Sequence, residues 1–60
     1  MASSVIYRTE DYKVEVCAIP VDADTTETRY FLDDLHGKNL ANHTDKSEIL
    51  ALADAMQALK

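Results

Sequence analysis

One helical stripe in the last quarter of the sequence limits what this chain can fold into more than any other feature. Apolar side chains recur there with the i, i+3, i+4, i+7 spacing of an amphipathic helix. The stripe consists of Ile49, Leu52, Ala53, Met56 and Leu59. It predicts a single helix over about residues 45–59, for which either Thr44 or Asp45 is a suitable N-cap. The preceding residues must then supply the surface that this helix covers.

The sequence before the helix has the composition and alternation of β-strands. Residues 5–9 and 28–34 are rich in β-branched and aromatic residues, and residues 12–21 alternate between two faces. Residues 38–42 can add a short strand after a turn at Gly37, the only glycine in the chain. The sequence therefore predicts an α+β fold, in which an antiparallel β-meander of three to four strands precedes one C-terminal α-helix packed on one face, in the order β-β-β-α.

A single helix leaves one face of the predicted sheet open. The alternation assigns one set of side chains to the face under the helix, namely Tyr12, Val14, Val16, Ala18, Tyr30, Leu32 and Leu40. The set on the opposite face is Lys13, Glu15, Cys17, Ile19, Arg29, Phe31, Asp33 and Ala41. A fully solvated face would be polar throughout, whereas this one has Cys17, Ile19 and Phe31 among its charges.

The mixed composition of the open face predicts a binding surface. An apolar centre with a polar rim is typical of protein interfaces. One alternative is that the N-terminal segment folds over this patch with Ile6 or Tyr7. The hypothesis we adopt is a partner or homodimer interface formed by Lys13, Glu15, Cys17, Ile19, Arg29 and Phe31.

Length and composition bound the class of protein. Sixty residues are enough for one small domain with a thin core, so we expect residues 1–60 to form a single domain, with residues 1–4 disordered. The single cysteine, Cys17, allows no internal disulfide and favours a reducing compartment, so we expect a cytoplasmic protein. The sequence has no secretory-signal pattern, and no apolar run approaches the roughly 18 residues of a membrane span.

The charge balance is acidic, with 11 Asp and Glu against 6 Lys and Arg and a formal net charge of −5. Direct binding to nucleic acid usually requires a basic patch, and anionic membrane surfaces attract basic segments. We therefore expect neither nucleic acid nor a membrane as a direct partner. A protein partner or a second copy of the chain is the expected alternative.

Residues 36–48 hold the most suggestive polar side chains of the sequence. His36 and His43 lie seven positions apart there. Zinc takes three or four N, S or O ligands in a tetrahedron, and the spacing of these residues matches no metal motif. Cys17, in an acidic chain, lacks the electropositive surroundings of a reactive thiol. We therefore expect no catalytic residue, no metal ligand, no cofactor and no enzyme activity.

These observations favour a small non-catalytic protein-interaction module of the adaptor or inhibitor type, which in one version acts as a homodimer through the open face. An alternative is an acidic mimic of nucleic acid, of viral or plasmid type, that blocks a nucleic-acid-binding protein. A second alternative is a metal-binding domain that uses His36 and His43. Strong salt sensitivity of partner binding would distinguish the mimic from an apolar interface.

Overall fold

The fold is a four-stranded antiparallel sheet with one helix on one side. The computed structural model describes residues 3–60. Its elements are β1 (Ser3–Arg8), β2 (Tyr12–Pro20), β3 (Thr26–Asp34), β4 (Asn39–His43) and α1 (Lys46–Ala58). Each strand pairs with the next one along the chain, in the order β1-β2-β3-β4. The predicted α+β meander with a C-terminal helix is confirmed, and the meander has four strands.

The first strand begins earlier than the sequence predicts. Ser3 and Ser4 lie opposite Cys17 and Val16, so these two serines, which we expected to be disordered, belong to β1. Pairing with β2 supplies hydrogen bonds to their backbone and outweighs the weak strand preference of serine. The predicted disorder of residues 1–2 concerns positions outside the described residues.

The core lies where the helix crosses the sheet. Its buried side chains come from the two central strands and from the helix, and they are Tyr12, Val14, Leu32, Ile49 and Ala53. Val14 and Leu32 lie directly opposite each other on β2 and β3, and both are fully buried. This cross-strand pair is the part of the sheet from which α1 most completely excludes water.

The fourth strand differs from its predicted orientation. A β-bulge between β3 and β4 shifts the register, and Ala41 lies opposite Leu32. Ala41 therefore packs against the core, whereas Leu40 is 37% exposed. The predictions that Leu40 faces the helix and Ala41 the open face are wrong, because a bulge inserts one extra residue into the strict alternation of a strand.

The helix turns a different face toward the sheet than its apolar stripe predicts. Ile49 and Ala53 are buried as predicted, and Met56 packs against them. Leu52 and Leu59 are exposed instead, which corrects the prediction that they face the sheet. Leu59 is the C-cap, so it lies beyond the last helical residue and its side chain is 88% exposed.

A polar contact near the end of the helix accompanies this orientation. Gln57 Oε1 accepts a hydrogen bond from Thr9 Oγ1, 2.8 Å away in the turn between β1 and β2. Gln57 therefore faces the sheet, together with the half-buried Leu50. The buried side of α1 therefore includes a polar residue, which apolar periodicity alone does not predict.

The helix covers only part of the sheet. β2 and β3 contain nine residues each and pair along their whole length. Nine strand residues span about 30 Å, whereas α1 spans about 20 Å. Burial on the helix side of β2 decreases from Val14 through the half-buried Val16 to the exposed Ala18. Ala18 is not the core residue that alternation predicts, because it lies beyond the reach of α1.

Candidate interaction surface

The face of the sheet that points away from α1, here named the open face, carries every residue predicted for the interface. Residues directly opposite each other in an antiparallel pair project to the same side of the sheet. The pairs on this side that join β2 to β3 are Lys13–Asp33, Glu15–Phe31, Cys17–Arg29 and Ile19–Glu27. All six predicted interface residues therefore lie together on one face.

Phe31 lies at the centre of the open face. Its neighbours across the sheet are Glu15 on β2 and Asn42 on β4. Cys17 and Ile19 follow Glu15 on the same side of β2, toward the tip of the β2–β3 hairpin. Phe31, Cys17 and Ile19 are all half-exposed, so each presents apolar surface to solvent. Aromatic residues with such apolar neighbours are enriched in protein interfaces.

Two ion pairs run along the strands of the open face. On β2, Lys13 Nζ lies 3.3 Å from Glu15 Oε1. On β3, Arg29 Nη2 lies 2.8 Å from Glu27 Oε1, while Arg29 Nη1 donates to Asn42 Oδ1 of β4 over 2.6 Å. Because these groups are partly exposed to water, each ion pair contributes little to folding stability. Their charged groups are therefore accessible to a partner surface.

The open face has no formal net charge, although the chain is acidic. Its basic residues are Arg8, Lys13 and Arg29, and its acidic residues are Glu15, Glu27 and Asp33. Three positive charges therefore balance three negative ones. The other eight acidic and three basic residues, which lie in the turns, at the strand ends and on the helix, account for the net charge of −5.

The first strand adds to the open face a residue that alternation did not assign to it. Val5 pairs with Glu15 and projects to this side, where it is 45% exposed. A β-bulge between Val5 and Tyr7 accommodates Ile6 and turns Tyr7 toward the helix. There the Tyr7 hydroxyl donates to Asp54, a hydrogen bond that raises the pKa of Tyr7. The described part of the N-terminal segment thus lies beside β2 at the sheet edge, not across the open face.

The two histidines lie in local structures at the two ends of β4. His36 is in the turn before this strand, where its backbone N–H donates to the carboxylate of Asp34. His43 is the last residue of β4, and its Nδ1 accepts from the backbone N–H of Asp45 over 2.9 Å. Within residues 3–60, no group of three or more His, Cys, Asp and Glu side chains is arranged to hold a metal ion.

Asp34 organises the turn that contains His36. Its carboxylate accepts from the backbone N–H groups of Lys38 and His36, each over 2.9 Å. The hydrogen bond from Lys38 is the main reason that the pKa of Asp34 lies below its ordinary value, and that from His36 adds to it. Gly37 completes the turn with a φ of 89°, as its position in the sequence predicts.

Neither a pocket nor a relative supplies a further indication of function. The part of the chain that the structure describes encloses no pocket. Among the same residues, no helix combines the length and the apolar composition that crossing a membrane requires. No family model, curated protein or solved structure matches this chain.

Proposed function

We propose that this protein is a small non-catalytic interaction module of the adaptor or inhibitor type, which binds a protein partner through the open face. The observation that carries the proposal is the composition of this face, where Phe31, Cys17 and Ile19 lie half-exposed among paired charges. A sheet face that met only water would carry polar side chains at these positions. We place the module in the cytoplasm, where a lone thiol such as that of Cys17 stays reduced.

The charges of the open face indicate the kind of partner. Because positive and negative side chains balance there, a partner surface of mixed charge with an apolar patch opposite Phe31 fits better than a strongly basic one. A second copy of the chain also meets this description, since a face without net charge does not repel its own copy. Homodimerisation through the open face is therefore the second form of the proposal.

Substitution of Phe31 tests the proposal. Phe31→Glu removes the aromatic ring and places a carboxylate at the centre of the face, next to Glu15. The variant is expected to fold, because Phe31 lies outside the core cluster. The parent chain and the variant are each immobilised and exposed to an extract of the source organism. We expect the variant to bind the proteins that the parent retains at least about tenfold more weakly. Sedimentation of the purified chain measures self-association in parallel.

Leu35→Glu is the matched control. Leu35 is 53% exposed in the turn between β3 and β4, and this substitution makes the same change of charge away from the open face. The control should bind as the parent does. The proposal fails if Phe31→Glu unfolds the chain, since Phe31 would then be part of the core, or if it binds the same proteins as the control.

The acidic mimic of nucleic acid is a second candidate, because the net negative charge lies outside the open face. The tip of the β2–β3 hairpin carries Asp22 and Asp24 with no basic residue between positions 21 and 28. Binding of such a surface to a basic groove would weaken steeply between about 0.1 M and about 0.5 M salt, whereas binding through the open face would change little. Asp22→Asn with Asp24→Asn would weaken the first mode and leave the second unchanged.

A further inference from the structure

The helix side of the sheet also contains an uncovered region, on the opposite side from the open face. Beyond Val14, the side chains on this side extend past the part of the sheet that α1 covers. This region, here named the shelf, is defined by the strand pairing and consists of Ser4, Val16, Ala18, Pro20, Thr26, Thr28, Tyr30 and His43. Val16 and Tyr30 are half-buried, and the other members are exposed.

The composition of the shelf differs from that of the open face on the same strands. The open face carries six Lys, Arg, Asp and Glu residues, and the shelf carries none. On β3, for example, Glu27 and Arg29 project to the open face, whereas Thr26 and Thr28 project to the shelf. Surface positions of a strand in contact with water usually include charged side chains. Covering the shelf therefore requires no charged side chain to lose its hydration.

The outer face of α1 has a matching composition. The exposed helical and C-cap residues after the first turn include Ala51, Leu52, Ala55, Ala58 and Leu59. Leu52, Ala55 and Leu59 follow the i, i+3, i+7 spacing of one helix face. Asp54 is the only charged residue in this stretch of the helix, and it is hydrogen-bonded to Tyr7 on the flank of α1. Glu48, in the first turn, is the one charged residue on this helix face, four positions before Leu52. The chain thus exposes an uncharged sheet surface and a helix surface that is uncharged beyond its first turn.

We propose that a second copy of the chain covers the shelf by laying the outer face of its α1 on it. The contact is reciprocal about a two-fold axis, so each α1 lies between two sheets. It packs on its own sheet through Ile49 and Ala53, and on the partner's sheet through Leu52, Ala55 and Leu59. Such an isologous contact requires a surface and its complement on the same chain, which the shelf and the outer face of α1 provide.

Charge and size both favour a second copy as the occupant. Two chains of charge −5 repel each other, and a contact between the shelf and the part of the outer face of α1 beyond Glu48 keeps that repulsion smallest, because neither carries a charged residue. From the dimensions of α1, the two reciprocal contacts together bury on the order of 1,000 Å², which is near the lower limit for a specific interface. The dimer leaves both open faces directed outward, so it is compatible with partner binding there and does not depend on it.

Sedimentation velocity over a range of concentrations, with two variants and two controls, tests the dimer. Thr28→Glu alters the shelf and Leu59→Glu alters the outer face of α1, and both residues are exposed, so both variants should fold. We expect each substitution to raise the dimer dissociation constant at least about tenfold. Leu35→Glu adds the same charge outside both surfaces and should dimerise as the parent does. Phe31→Glu is the second control, because it reports on a contact through the open face.

A mixture of isotope-labelled and unlabelled chains locates the contact directly. We expect intermolecular nuclear Overhauser effects between the methyl groups of Leu59 and those of Thr28 or Ala18. A chain that stays monomeric at millimolar concentration would overturn the proposal. So would a dimer that Phe31→Glu dissociates and Thr28→Glu does not, because that result would place the contact on the open face.

Discussion

The side chain of Gln57 and the residue Asp11 exchange two hydrogen bonds. Gln57 Oε1 accepts from the backbone N–H of Asp11 over 2.7 Å, and Gln57 Nε2 donates to the Asp11 carboxylate over 2.8 Å. One side chain near the end of α1 therefore holds the turn between β1 and β2, which lies 46 residues earlier in the sequence. The contact ties the helix to the first hairpin, at the edge of the hydrophobic core.

Gln57→Glu should destabilise the protein because it removes the Nε2 donor and places a second carboxylate beside Asp11. Glutamate has nearly the same size, so packing is preserved. We expect the free energy of unfolding, measured by urea denaturation at neutral pH, to fall by about 1–3 kcal/mol. Adding Asp11→Asn to this variant restores a donor opposite the new carboxylate and should recover part of the loss. Equal stability of parent and Gln57→Glu would show that the hydrogen bond from Nε2 to the Asp11 carboxylate contributes nothing.

Gly37→Ala should destabilise the β3–β4 turn through the backbone alone. The φ of 89° is unfavourable for a residue with a Cβ, although a Cβ at this position would meet no atom within 4 Å. We expect a loss of about 1 kcal/mol in the free energy of unfolding. Gly37→Asn is the control, and it should lose less because asparagine tolerates positive φ better. Equal losses in the two variants would contradict a purely conformational cause.

Stability should fall at acid pH through Asp34 and Asp45. The Ser47 hydroxyl, followed by the Glu48 backbone N–H, lowers the pKa of the N-cap Asp45, as the Lys38 N–H lowers that of Asp34. A carboxyl whose pKa is lower in the folded than in the unfolded chain stabilises the fold above its unfolded pKa, about 3.9 for aspartate, and this contribution is lost as the pH falls through the folded value.

Urea denaturation at a series of pH values from neutral to about 2.5 measures this loss. The variant with both Asp34→Asn and Asp45→Asn cannot titrate at these positions. It should therefore show a shallower decline of stability below about pH 4 than the parent. Parallel curves for parent and double variant would contradict the assignment of the acid sensitivity to these two residues.

Local periodicity was sufficient to predict most of the fold and most of the candidate surface. A two-residue period marked β2 and β3, and a 3.6-residue period marked α1, because both patterns arise from the backbone geometry of a single element. The N-cap Asp45 and the turn at Gly37 were likewise predictable, since each depends on hydrogen bonds or dihedral angles within a few residues. The six interface residues follow from the same alternation, as β2 and β3 pair without a bulge.

The tertiary structure alone decided the features that depend on contacts between distant segments. The bulges at Ile6 and Leu40 arise in the pairing of two strands, so the alternation within either strand does not reveal them. They place Val5 on the open face and Ala41 against the core. The contact of Gln57 with the first turn likewise joins distant segments, and Leu52 is exposed in the orientation of α1 that contains this contact. The sequence by itself determined which elements form, because their periods are local, whereas their packing determined which side chains they bury.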